Sequence, residues 1–202
     1  KIFVTCALPY INADPHLGHV FEFIQADCFV RFNKLIGNEV YFTAGTDENS
    51  LKNILASHEH KVSVKDWIDQ KTASFLKLKD DFEISFDDFI RTTEERHHLG
   101  AQKLWSHLDK NDIIKKNYEG LYCVGCETFY TEDELVNGLC PEHKKVPEKI
   151  TEENYFFVLK NYKNFLIKKI ESGEWNIMPE SRKNEILSFL KGDLLDISVT
   201  RS

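Results

Sequence analysis

The sequence predicts an α/β fold, a parallel sheet with crossover helices, followed by a segment of different character organised around cysteines. Three observations carry this. A short apolar run, a long run with helical apolar spacing and a second short apolar run follow one another at the start of the chain. Strand, helix, strand in that order is a βαβ unit, which implies parallel pairing and a right-handed crossover. After residue 112 the helical periodicity gives way to short β-like pieces, turns and three of the five cysteines. A hydrophobic content of 42% with 12% aromatics supplies a core for 202 residues and argues against disorder.

Each element has its own signal. Ile2-Phe3-Val4-Thr5-Cys6 is rich in β-formers and reads as a buried strand. Pro9, Asn12, Asp14 and Pro15 make the loop after it. From Leu17 to Ile36, Val20, Phe21, Ile24, Cys28, Phe32 and Leu35 recur at the spacing of an apolar helix face, and Gly37 is a natural stop. Val40-Tyr41-Phe42-Thr43 is the second strand. A helix with capping chemistry starts at Asp47 and runs to His58. Ser63 can cap the helix that carries Trp67, Phe75 and Leu78, with Phe75, Leu78 and Phe82 as a core stripe. Thr92-Thr93-Glu94-Glu95 opens a further helix through Leu99, Leu104 and Leu108. Tyr118 to Tyr122 leads into the first cysteine pair, and Tyr155-Phe156-Phe157-Val158 leads out as a strand. A helix with Tyr162, Phe165, Leu166 and Ile170 on one face follows. Pro179 opens a last helix through Ile186, Leu187 and Leu190, and Asp196 to Arg201 reads as a strand. There is no internal repeat or low-complexity tract.

The net charge is −7 and it is uneven. Residues 1–109 carry 12 basic and 17 acidic side chains, residues 110–170 ten of each, and the remainder four and six. A protein that grips nucleic acid over its whole surface is usually basic, so any RNA contact is local or lies outside these residues. The lysines at 115, 116, 144, 145 and 149 read as a solvated face. No apolar run reaches the length of a membrane span, and no secretory leader is visible. Cys6 and Cys28 read as small core hydrophobes. The other three cysteines cluster with a histidine, which points to metal rather than disulfides and to a reducing compartment, the cytoplasm.

Three constellations carry chemistry. Pro9 to His19 sets His16 and His19 around Gly18 where a strand hands over to a helix. A helix N-terminus favours anions such as phosphate, and two imidazoles there can donate to phosphate oxygens as charge develops. Gly18 leaves room for a flat ligand ring. The plain alternative is a helix start whose histidines satisfy only their own hydrogen bonds. Cys123-x2-Cys126, thirteen residues, then Cys140-x2-His143 forms two knuckles in tetrahedral reach of one ion, which suits zinc. With all four positions filled by protein, such an ion would be structural. Asp47 stands just after the second strand, at the carboxyl end where ligands of open α/β sheets bind, and its carboxylate could hold an ammonium group. An ordinary helix N-cap is the alternative reading.

Val4-Thr-Cys-Ala-Leu-Pro-Tyr10, His16-Leu-Gly-His19 and Gln25-Ala26-Asp27 resemble the methionyl-tRNA synthetases, a family of class I aminoacyl-tRNA synthetases. The resemblance continues at Tyr122-Cys-Val-Gly-Cys126, Leu139-Cys-Pro-Glu-His143, Asn154-Tyr-Phe-Phe157 and Arg182 to Ser188. It implies a Rossmann-like catalytic domain with an inserted zinc-binding connective domain. The catalytic domain's first half would occupy residues 1–112, the insertion and its return helices 113–192, and the start of the second half 193–202. It implies activation of methionine by ATP, as its Mg2+ complex, and transfer of the methionyl group to tRNA(Met). His16 and His19 then match the catalytic signature, with Pro9 and Gly18 beside them at the ATP. Ala7, Leu8, Tyr10 and Asp47 match the methionine pocket, and Cys123, Cys126, Cys140 and His143 the zinc ligands.

Two departures stand out. Many members have Glu-His-Gly after the aspartate, whereas this chain has Glu48-Asn49-Ser50. The second signature, Lys-Met-Ser-Lys-Ser, does not occur in these residues. The resemblance implies that it, the remaining pocket residues and the anticodon-binding domain follow residue 202, and that these residues alone are inactive or nearly so. Two other readings compete: a non-catalytic zinc-containing module that binds tRNA or protein, and a different nucleotidyltransferase with a His-x-Gly-His start.

Overall fold

A computed structural model describes residues 1–126 and 128–200. The chain forms two compact units, Lys1–Leu104 and Trp105–Ser202.

In the first unit β1 (Ile2–Thr5), α1 (Leu17–Leu35) and β2 (Val40–Thr46) form the expected βαβ unit. The strands are parallel, Ile2 opposite Val40 and Thr5 opposite Thr43. α1 ends where Gly37 adopts φ +90°, a conformation open to glycine at no steric cost. α2 (Leu51–Glu59) and α3 (Val64–Asp81) follow, then β3 (Asp88–Arg91) and α4 (Glu95–His107), whose last residues fall in the second unit. β3 pairs parallel to β2, so the order is β1-β2-β3 with β2 in the centre. The core is built from Val20, Phe23 and Val30 of α1, Phe42 and Ala44 of β2, and Trp67, Ile68, Phe75 and Leu78 of α3. Ile11, Ile84 and Phe86 complete it from the loops.

Three expectations change here. The buried face of α1 is Val20, Phe23, Asp27, Val30 and Asn33. Phe21 (59% exposed), Phe32 and Leu35 (84% exposed) lie outside it, as does Cys28. The helix is apolar on two sides, and its partners select the side carrying Asp27 and Asn33. The Asp27 carboxylate accepts from Ser85 N–H at 2.7 Å and Oγ at 2.5 Å and from Arg31 Nε. Asn33 reaches Phe29 O and Asn38. Buried polar groups are tolerated when they are satisfied in this way. Second, α2 starts at Leu51 and its cap is Ser50, whose Oγ accepts from Lys52 N at 3.0 Å, so Asp47 is not an N-cap. Third, Phe82 ends α3 half exposed, while Phe75 and Leu78 are core. Ser63 caps α3 as expected.

In the second unit β4 (Ile113–Cys123) runs antiparallel to β6 (Glu148–Phe157), with β5 (Thr128–Tyr130) on one side and β7 (Ile197–Ser198) on the other. Lys115, Lys116 and Lys149 are spent on ion pairs with Glu153, Asp196 and Glu119. α5 (Lys163–Glu171) and α6 (Glu180–Lys191) pack Ile170, Leu190 and Leu194 into a separate small core. Residues 193–202 were expected to begin the second half of the catalytic domain. Among the described residues, Ile197 and Ser198 pair with Phe157 and Phe156 of β6, in the sheet of this unit. Arg201, the end of the expected last strand, lies outside the described residues.

Candidate active site and metal centre

β1 leaves the sheet after Thr5, and the chain returns to it beside the carboxyl end of β2. Tyr10 makes an isolated parallel bridge to Asp47, and Asp47 N donates to Pro9 O at 2.9 Å. The segment from Ala7 to Tyr10 and the loop of Asp47 are therefore joined by backbone. Ala7 N donates to Glu22 of α1 at 2.7 Å. Leu8 lies over Gly45, where a Cβ would come within 2.9 Å of Leu8 Cδ2 and 2.2 Å of Ile90 O. Lys52 sits 4.9 Å above the Tyr10 ring. Ala7, Leu8 and Tyr10 are open to solvent.

The two histidines form a reciprocal cap at the start of α1. His16 Nδ1 accepts from Gly18 N at 3.1 Å, and His19 Nδ1 accepts from His16 N at 3.2 Å. Backbone donors at both Nδ1 atoms place each ring's proton on Nε2. The rings stack 3.8 Å apart, and His19 packs on Phe75 at 5.1 Å. Burial and the neighbouring His16 push the His19 imidazole below its ordinary pKa. That keeps it a neutral donor through Nε2 at pH 7. What the missing Cβ of Gly18 admits is the His16 ring itself, 2.9 Å from where that Cβ would stand. The loop before His16 is pinned by Lys71, only 11% exposed, whose Nζ meets Asp14 at 2.9 Å.

Asp47 has one carboxylate oxygen occupied. Its Oδ1 accepts from Asn49 N at 3.2 Å and from Thr92 Oγ1 at 3.4 Å. Among the described residues, Oδ2 has no partner and is available to a ligand. Beneath it lies Glu48, whose side chain is 0% exposed. Its carboxylate accepts from Arg91 Nε at 2.7 Å, Thr72 Oγ1 at 2.6 Å, Thr46 Oγ1 at 3.2 Å and Thr93. Burial alone would raise its pKa, but the Arg91, Thr72 and Thr93 donors outweigh that and hold it below the usual carboxylate range. Asn53 ties the backbone down further, donating to Glu48 O at 3.0 Å. The side-chain amide of Asn49 is spent on Thr92 O at 3.1 Å.

Glu48, Thr92 and Thr93 were not singled out from the sequence. The available signal was position: Thr92 and Thr93 follow a strand of a parallel sheet, at the end where ligands bind. That signal depended on recognising β3, which is four residues long with a charge at each end.

The four candidate metal ligands converge. Their donor atoms all lie within 4.8 Å of one another. Cys126 Sγ is 3.3 Å from Cys140 Sγ and 3.1 Å from His143 Nδ1, and Cys123 Sγ is 3.9 Å from Nδ1. Ligands about 2.0–2.3 Å from a common centre and tetrahedrally placed are separated by about such distances. Gly125 makes the knuckle possible, because a Cβ there would fall 2.6 Å from the His143 ring. Burial opposes ionisation of Cys140, yet the His143 N–H donor and the hydrogen-bonded contacts with Cys126 and Tyr130 hold its thiol below the usual range. The set fits a metal ion.

Comparison with known proteins identifies the scaffold. The family described as tRNA synthetases class I (M) matches residues 2–146. The chain belongs to the methionyl-tRNA synthetase family. It is similar to the methionine–tRNA ligases of Fusobacterium nucleatum (39% identical over 100% of this chain) and Clostridium perfringens (41% over 99%). It spans about a third of the length of these curated relatives, 32% and 31%. Its structure resembles that of Mycobacterium tuberculosis methionyl-tRNA synthetase bound by methionyl-adenylate. The TM-score is 0.92 at 37% identity, covering 99% of this chain and 41% of that one. Against the apo form of the same enzyme the TM-score is 0.77 at 35% identity, over 100% and 39%. No helix among the described residues is long and apolar enough to cross a membrane.

Proposed function

We propose that this chain supplies the first part of the methionine and ATP site of a cytoplasmic methionine–tRNA ligase, which activates methionine as the adenylate and transfers it to tRNA(Met). Residues 1–112 are assigned to the catalytic domain and 113–192 to the connective insertion, whose sheet takes up Ile197 and Ser198 of the following segment. The observation that carries the reading is the Tyr10–Asp47 bridge. It joins the segment ending in two Nε2–H donors to a carboxylate with a free oxygen, at the carboxyl end of a parallel sheet.

The chemistry follows from those atoms. Asp47 Oδ2 holds the ammonium of methionine, with Ala7, Leu8 and Tyr10 as walls for its unbranched thioether. The methionine carboxylate attacks the α-phosphorus of ATP, bound with Mg2+ beside Pro9 and Gly18, and pyrophosphate leaves. Little covalent work falls to the protein, so its contribution is alignment and charge stabilisation. His16 and His19 donate Nε2–H to phosphate oxygens as charge shifts onto the leaving group. Cys123, Cys126, Cys140 and His143 would hold one zinc ion, which supplies cross-linking of the knuckles and no open site for chemistry.

The test is methionine-dependent ATP–pyrophosphate exchange on the full chain that carries these residues. His16→Ala and His19→Ala should each lower kcat about 100-fold, the scale of losing one preorganised donor, with the methionine KM little changed. Unaltered exchange in both variants overturns the reading. Salt-sensitive tRNA binding without any exchange would instead identify a non-catalytic module.

A further inference from the structure

We propose that Thr92 is a positioning residue that aims the Asp47 carboxylate at the substrate amine. The proposal rests on the reading of Asp47 given above and adds the group that sets its orientation. A threonine hydroxyl has one proton and two lone pairs. Thr92 Oγ1 accepts from Glu48 N at 2.8 Å and from Asn49 Nδ2 at 3.3 Å. Both acceptor positions are filled, so the single proton is directed to Asp47 Oδ1, 3.4 Å away. Asn49 N donates to the same oxygen. Two donors on Oδ1 fix the carboxylate's rotation and leave Oδ2 as the oxygen presented to a cation.

Thr92 is itself held in place. Its N–H donates to Thr46 O at 3.2 Å, at the end of β2, and it is buried. The next residue, Thr93, donates to the Glu48 carboxylate, which also takes Arg91 from β3 and Thr72 from α3. The hydroxyl thus stands on a rigid platform assembled from three elements. Precise placement of a binding group by supporting hydrogen bonds is what converts a carboxylate near the substrate into one aligned with it.

The experiment is steady-state pyrophosphate exchange on the full chain, varying methionine and ATP separately, for Thr92→Val, Thr92→Ser, Asp47→Asn and the Asp47→Asn/Thr92→Val double variant. Valine keeps the shape and removes the proton. Thr92→Val should raise the methionine KM about tenfold, a typical loss for a hydrogen bond to a charged group, and leave the ATP KM within twofold. Thr92→Ser should restore it. In the Asp47→Asn background Thr92→Val should add nothing, because its route to the substrate is gone. A raised methionine KM in Asp47→Asn with no change in Thr92→Val overturns the proposal while leaving the Asp47 reading intact. An unchanged methionine KM in Asp47→Asn overturns the Asp47 reading itself. Equal increases in both KM values, unrescued by serine and accompanied by a lower Tm, identify Thr92 as merely structural and overturn the proposal.

Discussion

Replacing Glu48 by glutamine is the sharpest test of how the candidate site is held. The side chain is fully buried and its charge is matched by Arg91, with Thr46, Thr72 and Thr93 donating to the same carboxylate. Glutamine keeps the volume and one acceptor oxygen but removes the charge opposite Arg91. Breaking one side of a buried ion pair costs about 3–5 kcal/mol. Arg91 is 25% exposed and keeps Asp69 at 2.6 Å, so the cost here is discounted to about 2 kcal/mol. For a unit of this size that lowers Tm by on the order of 10 °C. Trp67 is buried in the first unit, and the other tryptophans, Trp105 and Trp175, fall in the second. With both of those changed to phenylalanine, Trp67 fluorescence in urea reports the first unit alone. The pH dependence has a definite sign. A carboxylate whose folded pKa is depressed contributes stability above its unfolded pKa, about 4.3, and loses it as pH falls through the folded value. Wild type and Glu48→Gln should therefore differ at pH 7 and converge in acid. Equal urea midpoints at pH 7 would refute the reasoning.

Two further outcomes follow from close approaches in the structure. The purified protein should carry about one equivalent of zinc by metal analysis; Cys126→Ser and Gly125→Ala should both lower it, the second because its Cβ would sit 2.6 Å from the His143 ring. Undiminished zinc in Cys126→Ser would remove that residue from the ligand set. Gly45→Ala places a Cβ 2.2 Å from Ile90 O, a backbone atom that cannot step aside, so β2 and β3 must part. A loss of about 2–3 kcal/mol in urea unfolding is expected, and a neutral substitution would show that the two strands tolerate separation.

How far the sequence was legible depends on the reach of each signal. β1, α1 and β2 were readable because their apolar runs are local and bounded by Pro9, Pro15 and Gly37. The buried side of α1 was not. Phe21, Ile24, Phe32 and Leu35 repeat as regularly as Val20, Phe23 and Val30, and the choice is made by Ser85 and the core of α3, distant in sequence. Short β3 was missed because two of its four residues are charged. The metal cluster was legible in full because ligand spacing is itself local. In the candidate active site, position alone nominates His16, His19 and Asp47, whereas Glu48 and Thr92 are held by partners more than forty residues away.

The reciprocal cap at His16 and His19 has a further consequence. Helix initiation and recognition of the triphosphate would draw on opposite nitrogens of the same two rings. Starting the helix orders the donors, and a ligand on Nε2 fixes the tautomer that Nδ1 needs for capping. Few residues can replace either histidine on those terms. Serine, threonine and aspartate cap well but extend no donor outward, and lysine extends a donor but cannot cap. The scaffold would therefore leave selection little freedom at positions 16 and 19, because a change made to weaken the proposed contact with phosphate would also loosen the first turn of the helix that these rings cap.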